Sequence, residues 1–240
     1  MRSPTVMKAK SEALADRRRN KKPKRRGKNG GRISLHERRE RILDMAGEFF
    51  AEYGLTAQTR ALAEACGISQ RLLYRCFPSK GALIQEVYRR DIAGPFNATW
   101  LARLEDRSRP VSERLNEFYR EYYDTVLVRR WLRLFLYASL AEIDMAPTYI
   151  AEVIMRMLEV IVAEACAERG VEPPADPARR HELGWMLHGA VSHLAIRRHI
   201  YGNTNPTAVD EVLAMQVKLF LAGLAEALPA RSRQGSQVVD

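Results

Sequence analysis

The run GLTAQTRALAEACGISQRLLYRCFPSKGALIQEVY (54–88) holds the densest pattern in this 240-residue chain. From about Thr59 to Cys66 the spacing predicts a short helix that buries Leu62, Ala63 and Cys66. Gly67 breaks it, and Ser69 can cap a helix running to about Phe77. Pro78 and Ser79 end that helix and open the next, whose apolar side is Leu83, Ile84, Val87 and Tyr88. Two short helices joined by a tight glycine-containing turn make a helix-turn-helix. Ala63 is small where the helices cross, while Leu62, Ile68 and Leu73 fill the space between them. Ser69, Gln70 and Arg71 then lie at the start of the second helix, where they can enter a major groove. A glutamine can bond an adenine edge through two groups and an arginine a guanine edge, each worth about 1–3 kcal/mol of discrimination.

On the amino-terminal side, Ser34 and Glu37 have capping-box spacing. Leu35, Ile42, Leu43, Ala46, Phe49, Phe50 and Tyr53 recur at helical spacing, and Gly54 supplies a stop. On the other side, helical patterns run near 96–106, 112–128, 130–143, 147–169, 178–200 and 206–228. Breaks fall at Pro110, Pro147, the 173–177 loop and Gly202 to Pro206. Neither a strand pattern of period two nor an internal repeat is visible. The expected fold class is all-α, a small helical unit on a larger helical body.

Charge is unevenly placed. Lys and Arg number 39 against 29 Asp and Glu, a net of +10. Residues 1–32 hold 13 basic side chains against Glu12 and Asp16, whereas 33–240 hold 26 basic and 27 acidic ones. Segment 34–88 is balanced, seven against seven, so spacing and not charge marks it out. The first 32 residues offer almost nothing to bury and are expected to be disordered alone. With 46% hydrophobic and 28% charged residues, the chain as a whole is neither disordered nor collagen-like. Three cysteines (Cys66, Cys76, Cys166) without CxxC spacing argue against a disulfide framework. No apolar run approaches the roughly 18 residues of a membrane span, and no apolar core follows the basic start as a secretory signal requires. A cytoplasmic protein without a membrane partner is expected.

The segment 54–88 resembles the DNA-binding region of TetR-type transcriptional regulators. Gly67-Ile68-Ser69, Leu73-Tyr74, Phe77, Ser79-Lys80 and Leu83 match the recurring pattern of that family, and the likeness covers about residues 35–90. Gln58 stands where the family commonly has a Ser or Thr cap, and Cys76 where it has an aromatic or His. The resemblance implies a three-helix DNA-binding domain over 33–79 and a helical ligand-binding and dimerisation domain over 80–230, between a basic arm (1–32) and a flexible tail (231–240). It implies phosphate contacts for Thr59, Tyr74 and Lys80, and places Arg60, Gln70 and Arg71 near bases, with Ser69 and Arg75 completing the set. The plainer alternatives are half-buried packing for Tyr74 and a solvated charge for Arg75.

One such unit reads few base pairs, so these proteins bind paired half-sites as dimers, here a homodimer on a palindromic operator in double-stranded DNA. By resemblance and composition, the interface falls on the last two helices. Leu183, Leu187, Ala190, Val191 and Leu194 line one, and Val209, Val212, Leu213, Gln216, Phe220, Gly223, Leu224 and Ala227 the other. The same faces could pack within one chain.

A small-molecule pocket is expected among Trp100, Phe118, Tyr122, Trp131, Phe135, Met155, Trp185, His188 and Ser192, although an aromatic stripe also reads as plain core. His181, His188 and His199 share a helix face, yet gaps of 7 and 11 residues separate them by about 10 and 16 Å, too far for one metal ion. No metal site and no cofactor are expected. Nor is an enzyme, since GxSxG, HExxH, phosphate-loop and dinucleotide-binding patterns are missing. Arg25, Arg26, Lys28 and Arg32 lie where a basic arm can follow the minor groove. A solubilising extension, or residues added by an upstream start codon, is the other reading of that segment. The expected function is a dimeric repressor released from its operator by a small molecule. The alternatives are a ligand-independent regulator or an activator on the same fold.

Overall fold

Eleven α-helices follow one another in a computed structural model that describes residues 34–203 and 206–228. The basic arm with Arg25, Arg26, Lys28 and Arg32, and the tail 231–240, lie outside the described residues. Helix α1 (Leu35–Tyr53) starts in a complete capping box: the Glu37 amide donates to Ser34 Oγ at 3.1 Å, and the Ser34 amide to Glu37 Oε2 at 2.9 Å. Its inner stripe is Ile42, Leu43, Ala46, Phe49 and Phe50. Helices α2 (Thr59–Ala65) and α3 (Gln70–Cys76) form the helix-turn-helix, and α4 (Lys80–Val87) packs back on α1. Ser69 and Ser79 cap α3 and α4 through the amides of Leu72 and Ala82.

The turn between α2 and α3 is closed by two backbone bonds. The Ile68 amide reaches the Ala63 carbonyl and the Gly67 amide the Glu64 carbonyl, both at 3.0 Å. This 6→1 plus 5→2 pairing needs a left-handed residue between, and Gly67 supplies it at φ +66°. Any side chain there would carry strain. Gln58 leads into α2 without a side-chain cap, as its departure from Ser or Thr implied.

The body comprises α5 (Thr99–Leu104), α6 (Val111–Thr125), α7 (Arg129–Leu140), α8 (Met145–Tyr149), α9 (Met155–Arg169), α10 (Pro177–His199) and α11 (Val209–Ala227). The segment expected at 96–106 is helical only from Thr99. Pro147, expected as a break, lies inside the first turn of α8, where its missing amide has no helical partner to lose. Two wider π-type turns, Tyr88–Ala93 after α4 and Ile150–Ile154 between α8 and α9, leave no mark in the periodicity. An ion cluster ties the body together inside: Arg114 Nη1 donates to Glu164 Oε2 at 2.9 Å and to the Leu104 carbonyl, and Arg107 reaches Glu164 at 2.8 Å. Burial raises the Glu164 pKa, but the bonds from Arg107 and Arg114 outweigh it and hold the carboxyl below its usual value.

The last two helices use most of their apolar faces internally. Leu183, Leu187, Val191 and Leu194 of α10 and Leu213, Phe220 and Leu224 of α11 are buried within the chain. What points outward is a second stripe: Met186 at 67% exposure, Met215 at 49% and Leu219 at 67%. Gly189 and Gly223 belong to it, with open space where a Cβ would stand.

Candidate nucleic-acid interface

The exposed side of the helix-turn-helix carries Arg60, Ser69, Gln70, Arg71, Tyr74 and Arg75, with Lys80 half-buried beside them. Arg60, Arg71 and Arg75 make no ion pair or hydrogen bond among the described residues, so their guanidinium groups are available to a partner. Thr59 differs: it is buried, and its hydroxyl is the hub of a small network. Tyr74 Oη lies 3.0 Å from Thr59 Oγ1, and the Gln70 amide donates to the same oxygen at 3.2 Å. The network fixes the Tyr74 ring and the Gln70 side chain relative to α2. Partial burial draws the Lys80 ammonium pKa down, opposed by the neighbouring Tyr74 hydroxyl. Cys76, in the position that the resemblance gives to an aromatic or His, faces the interior and is buried.

A positioning residue that sequence reasoning missed is Arg39. Its guanidinium donates to the Cys76 carbonyl at 2.6 Å, pairs with Glu86 at 2.7 Å and stacks over the Phe77 ring at 4.5 Å. One side chain of α1 thus holds the last turn of α3 and the flank of α4. A single arginine on a mostly polar helix face gives no periodic signal.

The unit joins the body through a second arginine cluster. Arg130 of α7 donates to Asp91 Oδ2 at 2.7 Å and to Glu48 at 3.2 Å, while Arg90 meets Asp91 Oδ1 at 2.9 Å and the Leu43 carbonyl at 2.9 Å. Gly47 makes room for it, because a Cβ there would overlap the Arg130 guanidinium and the Asp91 carboxylate. Arg133 adds bonds to the Ala51 and Glu52 carbonyls, and the Trp131 indole donates to the Ile92 carbonyl at 3.1 Å. The π-type turn Tyr88–Ala93 therefore lies between the reading helices and the aromatic interior.

That interior gathers most of the residues suggested for a pocket. Trp100, Phe118 and Tyr122 pack edge-to-face or stacked within 6.0 Å, and Trp131 stacks on Phe135 at 4.7 Å. Trp185 lies 5.4 Å from His188, whose Nε2 is 3.4 Å from Ser192 Oγ. Met155 is half-buried against the same core. The rings of Tyr88, Tyr119 and Tyr149 share the same interior. Of the three histidines on one face, only His188 is buried: His181 pairs with Glu159 at 3.2 Å and His199 packs against Tyr123 at 5.6 Å. Complete burial lowers the His188 pKa to about 3, so its ring is neutral at pH 7. Burial also pushes the Cys66 thiol up to about 11 and leaves it a poor nucleophile. No described helix is long and apolar enough to cross a membrane.

Residues 42–87 match the family model described as bacterial regulatory proteins, tetR family. No curated protein matches the chain in sequence. Among solved structures, a TetR-like transcriptional regulator from Rhodococcus sp. RHA1 is similar with a TM-score of 0.61 at 20% identity, over 80% of this chain and 100% of that one. The TetR family regulator PfmR from Thermus thermophilus has a TM-score of 0.55 at 22% identity, over 76% and 97%. A tetR-family regulator from Streptomyces coelicolor has a TM-score of 0.53 at 18% identity, over 81% and 83%. At these identities the likeness is one of fold.

Proposed function

We propose that the chain, whose residues 42–87 match the tetR family of bacterial regulatory proteins, is a dimeric, cytoplasmic repressor of that family that a small molecule releases from a palindromic operator. The observation that carries the reading is the arrangement around Thr59. A buried hydroxyl holds Tyr74 and Gln70 in place, while Arg60, Arg71 and Arg75 stand free on the same exposed side. Prearranged donors beside mobile cations suit a phosphate backbone and base edges. In this reading Thr59, Tyr74 and Lys80 position the unit on phosphates. Arg60, Ser69, Gln70, Arg71 and Arg75 face the groove, and the arm residues Arg25, Arg26, Lys28 and Arg32 add charge. Residues 33–79 act as the DNA-binding domain and 80–230 as the ligand-binding and dimerisation domain.

Dimerisation is assigned to the outward stripe of Met186, Gly189, Met215, Leu219 and Gly223, since an apolar row of that kind is costly to leave in water. The effector site is assigned to the aromatic interior, which meets the π-type turn leaving α4 through the bond from Trp131 to the Ile92 carbonyl.

Mobility shift of the DNA flanking the gene tests the reading, first with protein alone and then against cell extract fractions. Dose-dependent release supports a ligand-responsive switch, and a complex that no fraction disturbs supports a constitutively bound regulator. Reporter output in a deletion strain separates repression, where it rises, from activation, where it falls.

A further inference from the structure

Of nine buried side-chain polar atoms that meet no hydrogen-bond partner among the described residues, five gather around the aromatic interior: the hydroxyls of Tyr88, Tyr119, Tyr122 and Tyr149, and Nδ1 of His188. They form one connected cluster. The Tyr122 ring lies 5.5 Å from His188 and the Tyr119 ring 6.2 Å from it. The Tyr122 and Tyr149 hydroxyls interact with each other, and Tyr88 lies within electrostatic reach of Tyr149, so this pair has at most one another while Tyr119 and His188 Nδ1 have no partner among the described residues. Tyr119, Tyr122, Tyr149 and His188 are each at least 97% buried. A buried polar group left unpaired is a net cost, and folded proteins carry few of them. Several in one place mark a surface shaped to meet polar atoms that the chain does not itself provide.

The walls are mostly aromatic, with the Glu121 carboxylate on the Trp100 indole at 2.6 Å and Glu152 within electrostatic reach of Tyr88. All three tryptophans flank the cluster: Trp100 at 6.0 Å from Tyr122, Trp131 at 5.4 Å from Tyr149, and Trp185 at 5.4 Å from His188. Among the described residues, the buried charged side chains are Arg114 and Glu164, and they neutralise each other at 2.9 Å. An anionic guest would find the buried guanidinium already paired and carboxylates at the edge, and would lose its hydration without replacement.

We propose that this tyrosine–histidine cluster is the effector site and that it takes an uncharged, largely aromatic small molecule bearing a hydroxyl or carbonyl oxygen. The guest's rings replace ring-on-ring packing, and its oxygen meets the orphaned phenols, each of which can donate or accept. Because the rings already touch, entry spreads them. One end of the cluster is Tyr88, which opens the π-type turn leaving α4, and the Ile92 carbonyl of that turn holds Trp131. Occupancy therefore acts on the segment that carries the reading unit. The chemistry of the guest stands by itself, whereas its effect on DNA rests on the regulatory reading above.

Calorimetric titration of the full-length protein without DNA at pH 7, using 2-naphthol, naphthalene and 2-naphthoate, tests the assignment. 2-Naphthol should bind about tenfold more tightly than naphthalene, in line with one or two hydrogen bonds, and 2-naphthoate at least about a hundredfold more weakly than 2-naphthol. The double variant Tyr122→Phe/Tyr149→Phe, shown by its melt to be folded, should bring 2-naphthol down to the affinity of naphthalene and leave naphthalene unchanged. Tightest binding of 2-naphthoate, no heat with 2-naphthol at about 1 mM, or 2-naphthol binding no better than naphthalene, which would mean that water alone serves these hydroxyls, would overturn the site. A protein that binds 2-naphthol but shifts no DNA keeps the site and loses the regulatory reading. One that shifts DNA and ignores 2-naphthol does the reverse.

Discussion

Asp91 Oδ2 lies 2.7 Å from Nη2 of Arg130, across the junction between the reading helices and the body, and Gly47 leaves the space in which they meet. Replacing that glycine tests whether the junction transmits. Gly47→Ala should push the pair apart and destabilise the fold by about 1–3 kcal/mol, the usual cost of overfilling a packed site. Arg130→Ala should destabilise by a comparable amount, because Asp91 then keeps only Arg90. Urea midpoints check both, and values unchanged within error would remove this junction from the account.

The exposed arginines and the half-buried lysine should separate in their effects on DNA. Arg71→Ala should lose about 1–3 kcal/mol of discrimination at one base pair of each half-site. Lys80→Ala should weaken every sequence alike. Competition binding with single-base operator variants distinguishes them, and Arg71→Ala weakening all sites equally would refute the base-reading role.

Deleting residues 1–32 should weaken binding to many sequences together. The slope of log affinity against log salt should fall by about 0.9 for each phosphate that the arm no longer neutralises. An unchanged slope would make the arm a solubilising extension.

Leu219 is 67% exposed on the outer stripe of α11. Leu219→Lys should weaken the dimer by roughly 2 kcal/mol or more, about thirtyfold, if the residue is a hot spot of that interface. Sedimentation equilibrium reads this, and a dimer of unaltered strength would move the interface elsewhere.

Acid should expose the cost of His188. Its folded pKa is about 3 against an ordinary 6.5, so between those values the unfolded chain binds a proton that the folded one refuses. Stability therefore falls as pH drops below 6.5, by about 2 kcal/mol at pH 5 for this group alone. Glu164, held below its usual pKa by the arginines, loses its contribution lower still, as pH falls through its folded value. Denaturation of wild type and His188→Gln at pH 7 and pH 5 isolates the histidine. The variant should lose less between the two, and equal losses would contradict a buried neutral ring.

The parts of the fold that can be read from sequence are those set by local chemistry. A cap joins a side chain to an amide three residues on, so Ser34, Ser69 and Ser79 are readable, and Gly67 announces a left-handed turn. Arg39 and Arg130 act on residues 37 and 39 positions away, where no periodicity points. The π-type turns stay hidden because one extra residue in a turn barely disturbs a helical pattern. In the outer helices the sequence shows an apolar face but not which neighbour covers it, and the chain itself covers most of it. Of the reading residues, Thr59 is a buried hub, a role that its place at the start of a short helix does not reveal.

Footprinting on the DNA flanking the gene, with wild type and Arg71→Ala side by side, is the sharpest test of a sequence-specific reader on this fold. The wild type should protect one roughly two-fold symmetric site, its half-sites about one helical turn or a multiple apart. Arg71→Ala should lose that site while retaining general affinity. Even protection along the whole fragment, the same for both proteins, would contradict the account.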